Sequence, residues 1–283
     1  MRARLVSLLA AACLAAAALP GFSLTFAVFG DNRPHEAGDP QPAVFGRIIQ
    51  EVNRVPGLDL AVELGDKVLG SANAAVMARQ YRDFQWVVSK LAVPLHYTVG
   101  NHDLGPTSYT AAFGHRYYSF DAQGCHFVVL DAYQPGAILR ITGAQYHWLE
   151  QDLAAHRGAA HTFVFLHPPL WPRYSHVGSS LDRYPKDRDR LAALLARHGV
   201  KLVFVGHNHC YDLLRHGSIT QFTSGGAGAE LYRSPGRFHH FLVVKVEGPA
   251  VTVTLHRVGA APQVVYRAGV GAASPPAEKT TQQ

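Results

Sequence analysis

Five short polar clusters in this chain each follow an apolar run: Gly30-Asp31-Asn32-Arg33, Gly65-Asp66, Gly100-Asn101-His102-Asp103, His167-Pro168 and Gly206-His207-Asn208-His209. Their carboxylates, imidazoles and one carboxamide make an oxygen-and-nitrogen donor set without thiolate, the set that suits hard or borderline divalent metals. His207 and His209, two apart beyond a strand, can present their rings on the same side of an extended segment. Asn101 can offer a neutral carbonyl oxygen to a cation. His102 beside it can donate a proton, with its ring oriented and its charged form favoured by Asp103. Taken singly, each cluster has an ordinary explanation. A Gly-Asp caps a helix or closes a turn, and an Asn-His turn can be capped by Asp. With 17 histidines, chance pairs also arise, and His239-His240 is read as one. Only their joint occurrence points to chemistry.

The elements that must position these clusters are legible in the runs before them. Leu24 to Phe29, Leu58 to Leu64, Leu95 to Val99, Thr162 to Leu166 and Lys201 to Val205 read as buried parallel strands. Each cluster then sits on the loop at a strand's carboxyl end, the edge along which open α/β sheets bind ligands. Segments with apolar residues at three- and four-residue spacing alternate with the strands and predict helices over Pro42 to Asn53, Asn73 to Leu91, Gly143 to Arg157 and Pro185 to His198. From Tyr117 the pattern turns to adjacent strands, Tyr117 to Phe120 and His126 to Leu130, joined by a turn at Asp121-Ala122-Gln123-Gly124. Four more strands are expected at Tyr211 to Leu214, Ile219 to Thr223, Phe238 to Val246 and Val251 to Arg257. The expected architecture is α/β, with two mixed β-sheets packed face to face and helices outside, in one domain over residues 24–268. The longest segment without predicted structure, Pro168 to Asp182, is open to two readings, a lid at the site edge or a surface loop.

Composition bounds the setting. A chain of 283 residues that is 48% hydrophobic and 16% charged is globular, neither disordered nor fibrous. Residues 1–23 stand apart. Arg2 and Arg4 precede an uncharged Ala- and Leu-rich stretch to Leu19, and Pro20-Gly21 breaks it, the pattern of a secretory signal peptide. The stretch is short of the ~20 residues of a spanning helix, so export to the periplasm or beyond is expected rather than a permanent anchor. A lipid anchor at Cys13 is the lesser alternative. Beyond the leader remain Cys125 and Cys210, read as two buried thiols rather than a disulfide framework. The net charge of +6 falls to about +4 once Arg2 and Arg4 are removed, with no basic run. That pattern argues against a nucleic-acid surface and suits a small anionic substrate. The tail, residues 269–283 with Ser274-Pro275-Pro276, has a disordered composition.

In their order and wording the five clusters resemble the calcineurin-like metallophosphoesterase superfamily, whose pattern is Asp-x-His, Gly-Asp, Gly-Asn-His-Asp/Glu, His and Gly-His-x-His. The resemblance covers the whole mature domain and extends to Tyr117-Tyr118-Ser119-Phe120, Val129-Leu130-Asp131 and Gly225-Gly226-Ala227-Gly228. It implies a four-layer sandwich and a centre of two divalent or trivalent ions, Mn, Fe or Zn. Asp66 would bridge them, with Asp31 and His209 holding the first and Asn101, His167 and His207 the second. One position departs from the pattern. Arg33 stands where the family places a metal-binding His, and a guanidinium has no lone pair to donate. Nor does Leu69 supply the Tyr that iron-containing acid phosphatases use in its place. The first ion keeps three protein ligands, an open set of catalytic rather than structural type. Arg33 is assigned to the substrate phosphate, which its fork matches. The implied activity is hydrolysis of a phosphomonoester or phosphodiester by hydroxide generated at the dinuclear centre, with His102 as proton donor to the leaving oxygen. The competing reading is a relative that keeps the metal and no longer turns over.

Overall fold

In the computed structural model, residues 22–105 and 107–269 are described. Chain order runs β1 (Ser23–Phe29), α1 (Ala43–Val52), β2 (Leu60–Glu63), α2 (Ala74–Val88), β3 (Leu95–Tyr97), α3 (Tyr109–Phe113), β4 (Tyr118–Ala122), β5 (Cys125–Val129), β6 (Tyr133–Gln134), β7 (Ala137–Ile138) and α4 (Gly143–Ala155). It continues with β8 (His161–Leu166), α5 (Pro185–Arg197), β9 (Leu202–Val205), β10 (Tyr211–His216), β11 (Ile219–Ser224), β12 (His240–Glu247), β13 (Ala250–Arg257) and β14 (Gln263–Ala268). One sheet has the order β14-β13-β12-β1-β2-β3 and the other β10-β11-β9-β8-β5-β4. The strands of the five apolar runs lie parallel to one another within each sheet, β1, β2 and β3 in the first and β8 and β9 beside β5 in the second, while β1 pairs antiparallel with β12 on its other side.

Alternation along the strands builds the layers. In β1, Leu24, Phe26 and Val28 face the second sheet, while Ala27 and Phe29 face α1 and α2. Both faces are buried, so from Phe26 to Phe29 the strand reads as an unbroken apolar run. Between the sheets lies an aromatic cluster in which Phe26 meets Phe127 and Phe163 edge-on, at ring centroids of 5.1 and 5.0 Å. Helices α1, α2 and α3 cover the first sheet, and α4 and α5 the second. This is the expected four-layer sandwich.

The predicted helices form within a few residues of their expected ends. Asn73 caps α2, its side chain accepting from the Ala75 and Val76 amides. The turn between β4 and β5 closes on Gln123 and Gly124, both with positive φ, as a two-residue hairpin requires. Sequence patterning missed α3, the two-residue strands β6 and β7 around Pro135-Gly136, and the edge strand β14. Each is too short or too lightly buried to carry a period. At the amino end, Ser23 already pairs with Glu247, so the sheet begins inside the segment read as leader. The rest of that leader, with Cys13, lies outside the described residues, as do residues 270–283 of the tail. Cys125 and Cys210 are buried free thiols. His239-His240 differs from the expected chance pair, because β12 turns His240 fully inward, where its Nδ1 meets the Phe238 carbonyl at 3.0 Å. Among the described residues no helix is long and apolar enough to cross a membrane.

Candidate metal centre

The sharp exits from the strands bring the clusters together. Asp31, Asp66 and His207 all have left-handed backbone, with φ of 57°, 58° and 67°. For non-glycine residues that conformation is strained, and strain of this kind concentrates at functional sites. The packing leaves room for nothing larger than glycine nearby. A Cβ on Gly100 would lie 2.2 Å from the Asp66 amide nitrogen, and one on Gly206 2.4 Å from Asp31 Oδ2. The His207 amide donates to both Asp31 oxygens, at 3.0 and 2.9 Å, tying the last cluster to the first across the two sheets.

Two donor groups result, and they share a residue. Asp31, Asp66 and His209 form one, and Asp66, His167 and His207 the other, each with ligand atoms within 4.8 Å of one another. Asp66 belongs to both, the geometry of a bridging carboxylate. His167 Nδ1 is engaged by the Leu64 carbonyl at 2.7 Å, leaving Nε2 3.4 Å from Asp66 and 4.0 Å from Asp31. His209 Nδ1 is likewise held by the Glu230 carbonyl at 2.7 Å, and its Nε2 lies 3.5 Å from Asp31. Fixing one ring nitrogen on a backbone oxygen so that the other points at the ion is how proteins orient metal-binding histidines. The buried Nε2 atoms of His167 and His207 have no hydrogen-bond partner. Unpartnered ring nitrogens beside convergent carboxylates are what a resident cation would satisfy, so these residues fit the expected ions.

Electrostatics agree. Burial pushes the His207 imidazole well below its ordinary pKa, assisted by His167. His209 falls to about 4, from burial and then Arg33 among the charged neighbours. Both rings are therefore neutral and free to ligate. His167 moves the other way, because Asp66 and Asp31 outweigh burial and raise it to about 9. Burial also raises Asp31, whereas His167 and His102 outweigh burial at Asp66 and hold it low.

The remaining predicted residues fall around this core. Arg33 lies on its rim beside Tyr232, its buried Nε 3.9 Å from Asp66 Oδ2 and itself without a hydrogen-bond partner. His102 points its Nε2 to within 3.9 Å of the same oxygen. Asn101 sits exposed at the edge, its Oδ1 accepting from the Tyr133 hydroxyl at 3.2 Å. Asp103 is corrected. It does not orient the His102 ring, whose Nδ1 is held by the Leu69 carbonyl at 2.7 Å. Its fully buried carboxylate instead accepts from the Asp66, Lys67 and Gly100 amides and from Lys67 Nζ, at 2.7 to 3.1 Å. The tight turn at Gly100 folds the side chain back under the Asp66 loop, away from the imidazole.

Three residues went unassigned by sequence reasoning. His176, in the Pro168–Asp182 loop, packs its ring 3.9 Å from that of His207. Tyr232 stacks on His209 at 4.3 Å and lies 5.4 Å from His176. Tyr133 approaches from the β6–β7 hairpin. The loop is anchored where Asn208 Nδ2 donates to the Arg173 carbonyl at 2.9 Å and Arg173 pairs with Asp212. A histidine in a long loop next to a predicted ligand was the available signal for His176. The two tyrosines carried none.

The family model for calcineurin-like phosphoesterases matches residues 24–211. The chain belongs to the calcineurin-like phosphoesterase family. It is similar to a mouse serine/threonine-protein phosphatase, CPPED1, at 32% identity over 199 residues, 65% of this chain and 64% of the mouse protein. The alignment thus spans a little under two thirds of that relative. In fold it is similar to a zebrafish dimetal phosphatase, with a TM-score of 0.66, 14% identity, and coverage of 85% of this chain and 98% of the other. A purple acid phosphatase from yellow lupin seeds superposes with a TM-score of 0.65 at 16% identity, over 87% of this chain and 53% of the plant protein. The two donor groups lie on the strand ends of this phosphoesterase fold, with Arg33 the departure from the family's pattern.

Proposed function

We propose that the chain is an exported metal-dependent phosphoesterase that hydrolyses small phosphomonoesters or phosphodiesters at a dinuclear centre. The observation that carries this reading is the pair of buried donor groups sharing Asp66. Asp31, Asp66 and His209 would hold one ion, and Asp66, His167 and His207 with Asn101 the other, from the Mn, Fe and Zn group. Bound there, such ions supply Lewis acidity toward phosphoryl oxygens and make water acidic enough to serve as nucleophile at neutral pH.

The chain's own residues do the rest. Arg33 sets its partly exposed guanidinium at the rim beside Asp66, where it would bind phosphate oxygens and stabilise charge developing on them. His102, with Nδ1 committed to the Leu69 carbonyl, directs Nε2 into the site. In its imidazolium form it carries there the proton that a leaving alkoxide takes. His176 and Tyr232 wall the opening against His207 and His209. Export rests on the charge and hydropathy pattern of residues 1–23, and amino-terminal sequencing of the processed chain tests it.

Activity is tested on the purified chain loaded in turn with Mn²⁺, Zn²⁺ and iron, against aryl phosphomonoesters and phosphodiesters, with metal content measured in parallel. His102→Ala should lower kcat about 10²- to 10⁴-fold, the usual worth of a general acid, at unchanged metal content. Loss of metal instead would make His102 a ligand. Inactivity with every metal while two ions stay bound would turn the assignment to a binding protein of the same fold.

A further inference from the structure

A second group of metal-type ligands lies at the far end of the second sheet. Asp121 and His126 stand directly opposite each other at the closed end of the β4–β5 hairpin. Both point outward beneath the last turn of α4, which supplies Asp152 and, one turn on, His156. The centre described above sits beyond the other end of β5, so the two groups occupy opposite edges of the sheet. We propose that Asp121, His126 and His156 form a third metal site, one that takes a Zn²⁺ ion and staples the edge hairpin to α4.

Three observations carry the assignment. First, one oxygen of Asp121 and one nitrogen from each ring lie within 4.8 Å of one another, a spacing a single ion can span. Second, each imidazole is already keyed from behind. His126 Nε2 meets Asp152 Oδ2 at 2.8 Å, and His156 Nδ1 meets the Asp152 carbonyl at 2.8 Å. The other two nitrogens both face Asp121: His126 Nδ1 shares a hydrogen bond with its Oδ1 at 2.7 Å, a contact the ion would replace, and His156 Nε2 lies 3.7 Å from its Oδ2. A carboxylate or carbonyl behind each ligating histidine is the arrangement that fixes tautomer and direction around zinc. Ser119 Oγ donates to Asp152 Oδ1 at 2.7 Å and fixes that carboxylate in turn. Third, the charges balance. Two neutral imidazoles with the Asp121 and Asp152 carboxylates sum to −2, which one divalent ion cancels. Two nitrogens and one carboxylate oxygen with a position open to water favour zinc over calcium or magnesium, which prefer all-oxygen shells.

Loading has a structural consequence. The two rings stack at 3.9 Å with 10° between their planes, and an imidazole ligand needs the ion in its plane. His126, buried and gripped by Asp152, stays in place. Binding would therefore require the half-exposed His156 ring to tilt about its Nδ1 contact with the Asp152 carbonyl, and Asp121, 59% exposed on the hairpin, to draw back from His126. Without an ion the same four groups would make only an imidazolium–carboxylate network, and stoichiometry separates the two cases.

The test uses the full chain, saturated with Zn²⁺, desalted and analysed for zinc per chain beside the variant Asp121→Asn/His156→Gln. The parent should hold one zinc more than the variant, with any phosphoesterase activity equal in the two. Because only the difference is read, the result does not depend on how fully the dinuclear centre is occupied. Asp121→Asn alone carries the same comparison should the double variant misfold. Asp152→Asn, which keeps all three ligands, should weaken zinc uptake about 10- to 100-fold in equilibrium dialysis. Equal zinc in the parent and the Asp121 variants would overturn the proposal and leave the cluster a purely ionic contact.

Discussion

Lys67 offers the severest test of how the bridging loop is held. Its ammonium is completely buried, 2.8 Å from Glu63 Oε2 and 2.9 Å from Asp103 Oδ2, and donates to the Thr98 carbonyl. The rings of Tyr97, Tyr109 and Phe113 surround it at 5.2 to 5.8 Å. Replacing it with Met keeps the volume and leaves two carboxylates in the core facing each other without a counterion. Removing one partner of a buried ion pair costs about 3–5 kcal/mol. Against a typical total of 5–15 kcal/mol, that is about a fifth of the stability or more. The two carboxylates are not equivalent. Asp103 keeps three backbone amides and can remain ionised, whereas Glu63 keeps one, from Gly65 at 2.9 Å. Burial already lifts Glu63 to about 7 with Lys67 in place to pull it down. Without Lys67 it rises further. A carboxyl group whose folded pKa lies above its unfolded value stabilises the fold when protonated, so the loss in Lys67→Met should be larger at pH 7.5 than at pH 5. Adding Glu63→Gln removes the worse of the two stranded charges and should return about 1–3 kcal/mol at pH 7.5. Urea unfolding followed by circular dichroism at the two pH values measures all of this. A loss below about 1 kcal/mol for the single variant, or a double variant no more stable than the single, would refute the reasoning. Because Asp103 also binds the Asp66 amide, the single variant should retain less metal as well.

The other predictions concern the site. Arg33→Ala should lower kcat/KM about 10- to 150-fold, the worth of about 1.5–3 kcal/mol for hydrogen bonds to a charged group, while both ions stay bound by elemental analysis. An unchanged kcat/KM would return Arg33 to a surface role. In metal-free protein His167, raised to about 9, binds a proton that an ion must displace. Affinity for the ion held by His167 should therefore rise about tenfold per pH unit up to about pH 9, with one proton released from His167 as that ion binds, measurable by titration calorimetry in buffers of different ionisation heat. A flat profile between pH 6 and 8 would mean that His167 is already neutral.

Most of the frame was open to sequence reading, because the strands that carry the clusters are largely buried on both faces, β3 at the sheet edge being the half-buried exception. Phe26 to Phe29 and Leu202 to Val205 are unbroken apolar runs, and the polar residues that end them lie on the loops. Those runs also placed the candidate donors at the carboxyl edge, where Asp31, Asp66, His167, His207 and His209 come together. What escaped was short or contributed from a distance. The strands β6 and β7 have two residues each and no period, yet they bring Tyr133 to Asn101. Tyr232 and His176 meet the ligand imidazoles only because two loops, distant in sequence, fold over the same opening. Asp103 shows the opposite error, since adjacency to His102 suggested a contact that the turn at Gly100 prevents.

From the residues alone came the donor set, its order along the chain, the sheet edge that gathers it and the one position, Arg33, that departs from the pattern. All of these depend on residue type and local period, which the covalent chain carries directly. The tertiary structure alone decided that Asp66 is shared by two donor groups, that Asp103 and Lys67 hold the loop from beneath, and that Asp121, His126 and His156 converge at the far edge. Those facts depend on which side chains meet across strands and layers, and only the packing of the two sheets and their helices sets those meetings.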